Sequence, residues 1–401
     1  LKRPCLLGSI VILSSIGFYH PLANAEGSKD MVEFGGDRPY TEWAGSATAG
    51  ITRQTLLQVY VEAGETVYFG SSVPDSANGN DDIVYRSPMG GQNGSCNVES
   101  TGFGLIDTVA KETAGPQPLD AAGYEPCTFT ATETGIYEFE IRAPATGGNP
   151  PGNQLATDPF STGSNQNSGV SAWDITVVDG GVAQEGRVFT KYVALNMGSN
   201  NGSPNLRSEF FIQTKDGYLY RTKMNDVDPF GFIFFSNNRG YLDTDGSTLY
   251  RSVTSPDSDL DPFTGGVTVQ RPDVADTATN ITHLVFFNPP DTETLIELRI
   301  PTTPPVPAKP TNFRFVGNGG SSGNQTKEDA GGSFVFDTTS QGSYQIIIDT
   351  NSPTDNPSNG DFNPDGVFDP SVDTVLENPA NVGTNVVNWD GKDNDGNTVP
   401  E

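Results

Sequence analysis

The sequence predicts an all-β fold with two to three β-sandwich domains in tandem. Its 401 residues include 46 glycines and 30 prolines, a composition that favours many turns over long helices. Short segments rich in β-branched and aromatic residues recur between these turns, as is typical of strands. Only 34% of the residues are hydrophobic, which suits several small sandwich cores better than one large core.

Residues 1–25 are expected to be a signal peptide. Lys2 and Arg3 form a short basic region, residues 5–19 are apolar, and Ala23-Asn24-Ala25 is an A-x-A cleavage site. The apolar run is shorter than the roughly 18–20 residues that span a bilayer, and a proline at position 21 follows it. The sequence therefore favours a secreted or cell-surface location, cleavage after Ala25, and no membrane span in the mature chain.

The charge of the chain excludes some classes of partner. The formal net charge is −28, and removing Lys2 and Arg3 leaves 20 basic residues against 50 acidic ones, about −30. Such a chain repels phosphate backbones and anionic membrane surfaces, so we expect no nucleic-acid partner. The same charge favours solubility and the binding of divalent cations.

Few residues remain for bond-breaking chemistry after cleavage. Cys96 and Cys127 are then the only cysteines, and in an exported chain they favour one disulfide over a metal site. His283, the single remaining histidine, lies in the apolar run ITHLVFF, where a structural role is expected. The chain has no H-E-x-x-H, phosphate-loop or dinucleotide motif, so the sequence predicts a non-catalytic protein, although counting alone does not exclude a pair of catalytic carboxylates.

A first β-sandwich domain is predicted over residues 26–180. A strand, a glycine turn and a second strand recur in VYVEAGETVYFGSS and FTATETGIYEFEIRAP. This alternation resembles the pre-peptidase-type jelly-roll sandwiches of secreted bacterial proteins, and LIDTVAKET (105–113) is the one expected helix. The predicted strands are Gln54–Tyr60, Thr66–Gly70, Cys127–Thr132, Ile136–Arg142 and Trp173–Val178.

A second β domain is predicted over residues 181–301. The run Phe230–Phe235 is unusually aromatic, and it is expected to be a buried strand or, together with Tyr241, a surface that stacks on a ligand. The segments GRVFTKYVALNMG, KDGYLYR and DPFGFIFFSNNRG resemble, in order, the front part of very large bacterial surface proteins. The predicted strands are Arg187–Met197, Glu209–Thr214, Gly217–Thr222, Phe230–Phe235, Leu249–Val253, Thr282–Phe287 and Thr294–Ile300.

A Pro-rich linker at 302–310 is expected to precede a third β domain at 311–401. Its predicted strands are Asn312–Val316, Gly332–Asp337, Gly342–Asp349 and Asn385–Asn388. The closing motif W-D-G-x-D-x-x-G-x-x-V-P, from Trp389 to Pro400, resembles the last turn of the immunoglobulin-like domain of the flagellar hook-capping family. That resemblance implies a fold without an activity, and a further strand, so we expect the domain to be incomplete at Glu401.

Calcium is the expected cofactor of this third domain. Oxygen ligands at alternating positions before a glycine match the start of a calcium-binding loop, but position 12 is Val372, so the final ligand must be another carboxylate. Asp349 and Asn351 precede the loop and can join the ligand shell. The alternative is a solvated turn without a metal. The predicted metal ligands are Asp361, Asn363, Asp365, Val367, Asp369 and Asp373.

A second metal site is possible around Gly396. Asp390, Asp393, Asp395 and Asn397 offer oxygen ligands there, although the turn of the resembled fold explains them without a metal.

Together these features predict a non-catalytic, secreted or cell-surface structural or adhesion protein with calcium-stabilised modules. Its ligand would be an unidentified glycan or protein of an extracellular surface. Two alternatives remain, an accessory N-terminal region of an exported hydrolase and a carbohydrate-binding module.

Overall fold

A computed structural model describes most of the chain, which forms two compact units, Leu1–Pro304 and Pro305–Glu401. The boundary between the units lies inside the predicted 302–310 linker. The described residues are 25–48, 50–76, 79, 81–150, 159–160, 166–198, 205–229, 231–242, 268–269, 271–306, 308–319, 323–340, 342–349, 373–393 and 396–399.

The described residues of the first unit form short strands, a 3-10 helix at Ser28–Met31 and two short α-helices. In chain order its other elements are β1 (Glu26–Gly27), β2 (Tyr40–Thr48), β3 (Ile51–Gln54), β4 (Leu56–Val61), β5 (Thr66–Ser71), β6 (Ile83–Arg86), β7 (Gly94–Cys96), α1 (Val109–Ala114), β8 (Cys127–Thr130), β9 (Gly135–Ile141), β10 (Gly169–Val170), β11 (Trp173–Asp179), β12 (Val182–Gln184), β13 (Val188–Thr190), β14 (Val193–Asn196), β15 (Glu209–Gln213), β16 (Leu219–Lys223), β17 (Phe232–Phe234), β18 (Ser236–Asn237), β19 (Tyr241–Leu242), β20 (Thr268–Val269), β21 (Thr282–Phe286) and α2 (Thr292–Glu297).

These strands form antiparallel sheets around one main core. A nine-stranded sheet has the order β16-β15-β21-β13-β4-β9-β6-β7, with β18 on β21. A five-stranded sheet has the order β1-β11-β5-β8, with β12 on β11, and a second one the order β10-β2-β14-β17, with β3 on β2. The strands β19 and β20 pair separately. The predicted all-β class is confirmed.

Alternation along the strands decides which side chains enter the core. In β9, Tyr137, Phe139 and Ile141 are buried while the residues between them are partly exposed, the period-two pattern of a sheet with one covered face. Trp173 and the next five residues of β11 are all buried, because both faces of that strand are covered. Side chains of β4, β5, β9 and β11 meet in the same apolar cluster.

The boundary predicted between residues 180 and 181 is absent from the structure. Val188 of β13 pairs with Val59 of β4, so strands from both predicted domains continue one sheet. The ring of Trp173 also lies edge-on to that of Phe287, with the ring centres 5.2 Å apart. Ranges 26–180 and 181–301 therefore share a core and form one unit.

Two predicted strands of the second range differ from the structure. The segment 294–300 is not a strand; residues 292–297 form α2, and Leu295 packs with Phe189 and Phe286 in a separate apolar cluster. Asp291 precedes this helix at the N-cap position, and Leu298 follows Leu295 by three residues, which places both on one helical face.

The predicted strand Arg187–Met197 is divided into β13 and β14, which pair in different sheets. The segment Leu249–Val253 lies outside the described residues.

The described residues of the second unit form two small sheets. Its strands are β22 (Thr311–Gly317), β23 (Gly332–Thr338), β24 (Gly342–Ile348), β25 (Thr374–Ala380) and β26 (Gly383–Trp389). The order β22-β23-β26 makes one sheet, and β24 pairs with β25 in the other. Phe336 and Val387 of the first sheet share an apolar cluster with Ile346 and Ala380 of the second, which is the packing of a sandwich.

The Trp-Asp-Gly turn closes this sandwich at the end of β26. Trp389 is 9% exposed, and its indole Nε1 donates a hydrogen bond to the carbonyl oxygen of Lys392 at 2.8 Å. A Cβ atom at Gly331, where φ is +57°, would lie 2.0 Å from the carbonyl oxygen of Trp389. Only glycine therefore fits beside the tryptophan backbone.

Candidate functional site

The predicted calcium ligands Asp361, Asn363, Asp365, Val367 and Asp369 lie outside the described residues. Asp373, the remaining ligand of that set, is fully buried directly before β25. The last pair of the β24–β25 hairpin is Ile348 with Thr374. The register therefore brings Asp349 and Asp373 to the base of the segment that carries the other five predicted ligands.

The possible second metal site is a turn held by its own hydrogen bonds. The two carboxylate oxygens of Asp393 accept from the backbone N–H of Asn397 at 2.7 Å and from its side-chain amide at 2.9 Å. Asp390 Oδ1 accepts from the backbone N–H of Lys392 at 3.1 Å. Asp395 is outside the described residues. Within the described part of the chain, no group of three or more His, Cys, Asp or Glu residues could hold a metal ion.

Cys96 and Cys127 form the disulfide expected from the sequence, with their Cα atoms 6.2 Å apart. Cys96 ends β7 in the nine-stranded sheet, and Cys127 begins β8 in the sheet opposite. The bond therefore ties the two sheets of the sandwich together. A Cβ atom at Gly104 would lie 2.9 Å from Cys127 Sγ, so the backbone passes close to the bond.

The aromatic run 230–235 contributes to the main core. Phe232 and Phe234 of β17 are half-buried against the core, and the ring of Phe234 stacks on Phe210 with the ring centres 5.3 Å apart. The buried-strand interpretation therefore fits β17 better than a ligand platform does. Phe230 and the side chain of Tyr241 lie outside the described residues.

His283 lies in β21 opposite Ser236 of β18, and it is partly buried. Burial lowers the pKa of this imidazole, which keeps the ring neutral at pH 7. Its placement inside a sheet fits the structural role that the apolar run predicts.

A polar cleft of about 420 Å³ lies on the outer face of the nine-stranded sheet. It forms because Gln58 of β4 and Glu138 of β9 are directly paired and point away from the core side of their strands. Arg86 of β6 pairs with Glu138 from the other side. The cleft is lined by Gln58, Arg86, Ser87, Pro88, Gly90, Asn93, Ile136 and Glu138.

Hydrogen bonds hold the loop that forms one wall of this cleft. The backbone N–H of Ser87 donates to Asn93 Oδ1 at 3.1 Å, and Ser87 Oγ accepts from the backbone N–H of Gln92 at 2.9 Å. The Gln92 amide in turn donates to the carbonyl oxygen of Thr130 at 2.7 Å. This wall is therefore fixed in place before any ligand arrives.

Side-chain chemistry in the cleft suits a ligand with many hydroxyl groups. Gln58 and Asn93 carry amides, Glu138 a carboxylate, and Arg86 a guanidinium that is also 2.5 Å from Glu140 Oε1. Each of these groups can make two hydrogen bonds of fixed geometry to one ligand. Sequence reasoning missed this site, although the alternation of glutamates with aromatic residues in GIYEFEI is a signal of a polar outer face.

A second cluster of polar groups lies buried at the start of the fold, and sequence reasoning missed it as well. The N-terminal carboxyl cluster consists of Glu26, Asp30 and Asp174, each at most 8% exposed. The Glu26 carboxyl accepts hydrogen bonds from the backbone N–H groups of Gly186 at 2.9 Å and Arg187 at 2.8 Å.

The other two carboxyls of this cluster are also hydrogen-bonded. Asp30 Oδ2 accepts from the Gly27 N–H at 2.8 Å, and Asp174 Oδ2 accepts from the Tyr124 hydroxyl at 2.5 Å. Burial raises the pKa of Glu26 to about 8 and that of Asp174 to about 7, and it also raises the pKa of Asp30. The fold thus disfavours negative charge at a place where three acidic residues meet.

The fold and these sites define the class as an all-β protein of sandwich units with a polar cleft on an outer sheet face. Comparisons with protein-family models, curated proteins and solved structures found no match to the chain. None of the helices in the described part of the chain is long and apolar enough to cross a bilayer.

Proposed function

We propose that the protein is exported and acts outside the cell as a non-catalytic structural or adhesive surface protein. The observation that carries this proposal is the buried disulfide between Cys96 and Cys127. Disulfides of this kind persist in oxidising compartments and are rare in the cytosol, where thiols are kept reduced. The signal-peptide pattern of residues 1–25 and the formal net charge of −28 support the same location.

Calcium is part of this proposal, as a structural ion of the second unit. Asp361, Asn363, Asp365 and Asp369 would supply side-chain oxygens, Val367 its carbonyl, and buried Asp373 a carboxylate at the base of the segment. Hard oxygen ligands of this kind suit calcium. Bound calcium would neutralise carboxylates that otherwise repel one another.

Expression of residues 1–401 in a bacterial host with an oxidising envelope tests the export. The expected product begins at Glu26, lies outside the cytoplasm and has no free thiol on Cys96 or Cys127. An Ala25→Trp variant is the control, because a bulky side chain at the cleavage site should block processing. Unprocessed wild-type chain in the cytoplasm, with free thiols, would contradict the proposal.

The polar cleft favours a second candidate function, carbohydrate binding. It is concave, and amide, carboxylate and guanidinium groups converge in it on a fixed wall. Sugars present adjacent hydroxyls that pair with such groups. The ligand of the proposed surface protein would then be a glycan bound at this sheet face.

Binding of the 26–401 chain to a panel of immobilised glycans, in millimolar calcium, tests this function. At least one glycan should bind, and the Gln58→Ala/Glu138→Ala double variant should lose that binding by tenfold or more. Gln345→Ala, an exposed change in the second unit, should bind as the wild type does. A panel without a single bound glycan, or a double variant with full binding, would refute a glycan site in the cleft.

A further inference from the structure

The first strand of the fold begins at the residue that signal-peptide cleavage would make the chain terminus. Cleavage after Ala25 leaves Glu26 as residue one, and Glu26 already pairs with Ile175 of β11. Gly27 then pairs with Asp174, and a Cβ atom there would lie 2.3 Å from the carbonyl oxygen of Trp173. The new terminus would therefore be held inside the sheet, and its α-amine would be fixed in place.

Among the residues that the structure describes, acidic side chains outnumber basic ones around this position. The N-terminal carboxyl cluster is joined by the nearby carboxyl of Glu185. Lys29 is the cation of this group, and its Nζ lies 2.8 Å from Asp30 Oδ1. Tyr124, which donates to Asp174, is uncharged at neutral pH, because burial raises its pKa well above the usual value.

Two nearby arginines are already paired with other carboxylates. The Arg38 guanidinium binds both oxygens of Glu112, whose Oε1 also accepts from the Ser28 hydroxyl. The Arg187 guanidinium faces Asp291 and Glu293, and only its backbone N–H reaches Glu26. Among the described residues, neither arginine therefore balances the carboxyl cluster.

We propose that the α-ammonium group created at Glu26 by cleavage after Ala25 is a second counter-charge of the N-terminal carboxyl cluster, beside Lys29. This inference rests on the proposed export, because it requires processing at that bond. In the uncleaved chain a neutral amide occupies the same position, and the carboxyls must ionise without this counter-charge. Cleavage would thus add a positive charge beside the N-terminal carboxyl cluster as well as release the chain.

The raised pKa values of these carboxyls make the stability of the first unit depend on pH. Carboxyls whose pKa is raised in the folded state bind more protons there than in the unfolded chain, so stability falls as pH rises. For Glu26 this loss begins above the ordinary value of 4.5 and is complete above a pH of about 8. A nearby ammonium opposes the loss until it deprotonates, which for an α-amine is ordinarily at about pH 7.7–8.0.

Two forms of the 26–401 chain test the proposal, one with a free α-amine at Glu26 and one with that amine acetylated. Thermal unfolding between pH 5 and pH 8 is the measurement. Near pH 5 we expect similar melting temperatures, and at pH 7.5 the acetylated chain should melt about 5 °C lower. Equal melting temperatures across the range would overturn the role of the amine.

Variants separate the charge effect from a general defect in folding. In the acetylated chain, Asp174→Asn should reduce the loss of stability between pH 5 and pH 8, and Glu26→Gln should do the same. Glu377→Gln, an exposed change in the second unit, should leave the loss unchanged. If export fails in a cell, the comparison of the two purified forms still tests the role of the amine. Equal melting curves of the two forms would not contradict export.

Discussion

At the scale of single residues, the fold buries several charged side chains. Arg187 is 2% exposed, its guanidinium lies 4.6 Å above the ring of Tyr60, and it faces Asp291, Glu293 and Glu65. The nearest of these contacts, to Glu293, is 2.6 Å long. This one side chain lies directly before β13 and contacts β4 and the start of α2.

Replacing Arg187 by methionine should therefore destabilise the first unit by about 3 kcal/mol, because buried Glu65 and half-buried Asp291 lose their cation. Arg207→Met is the matched control, since Arg207 and its partner Asp226 are both exposed, and it should cost about 0.5 kcal/mol or less. Urea unfolding measures both changes. Equal unfolding midpoints for the two variants would contradict the assigned role of Arg187.

Burial of these charged residues was not predictable from the sequence. Arg187 in EGRVFTKY and Glu26 beside the cleavage site have the local pattern of solvated residues. Their partners are distant in the chain, as with Glu26 and Asn288, whose side chains are 3.2 Å apart. Asp174 gave the one local signal, a carboxyl inside the apolar run WDITVV.

At the scale of elements, the disulfide fixes two strands of opposite sheets. Cys96 and Cys127 are separated by 31 residues, and the segment between them contains α1. A cross-link of this length restricts the unfolded chain and is typically worth 2–4 kcal/mol.

The Cys96→Ala/Cys127→Ala variant should accordingly lose about 2–4 kcal/mol of unfolding free energy. Wild-type protein in a strong reductant should show a similar loss. The double variant should itself be insensitive to the reductant, which serves as the control. Stability unchanged by both treatments would contradict a structural role for the bond.

The β24–β25 hairpin is the element where calcium should act. Its base carries buried Asp373, and the proposed ligands lie in the segment that it closes. Calcium at 100 times its dissociation constant would stabilise the folded unit by about 2.7 kcal/mol.

We expect millimolar calcium to raise the melting temperature of the second unit and a chelator to reverse the rise. Asp365→Asn/Asp369→Asn should remove this response, and Asp390→Asn, in the turn after β26, should retain it. Calorimetry with and without chelator is the measurement. A melting curve that the chelator does not change would refute the calcium site.

Element prediction from the sequence succeeded where one face of a strand is solvated. The alternation in GIYEFEI predicted β9, and the glycine turn after VYVEA separated β4 from β5. It failed for α2, whose β-branched and leucine residues resemble a strand. It also missed β25, because Pro379 argues against a strand, although an edge strand of a two-stranded sheet tolerates proline.

At the scale of the whole molecule, the chain has two units where the sequence predicted three domains. Ranges 26–180 and 181–301 share the nine-stranded sheet, because β4 pairs with β9 on one side and with β13 on the other. Pairing between segments so distant in the chain leaves no local pattern. The Pro-rich linker, in contrast, is a local feature, and the division between the two units, at Pro304 and Pro305, falls inside it.

Fragments of the chain should therefore differ in their ability to fold. Residues 26–304 and 305–401 should each unfold cooperatively on their own, since each forms a compact unit. Residues 26–180 should not, because they lack Val188, Phe210 and Val285 of the main core. Circular dichroism and dispersion of amide signals in NMR spectra measure this. Cooperative unfolding of the 26–180 fragment would contradict the shared core.

The shared sheet also sets the order in which the first unit can assemble. Its strands β13 and β21 occupy the middle of the sheet, yet β21 is completed only at Phe286. Loop closure over such distances makes folding slow, because the contacts that compensate for it form late. The sheet cannot be completed before Phe286 is available, so we expect the emerging chain to remain unfolded until nearly three hundred residues have been made, as the proposed passage through a translocation channel requires.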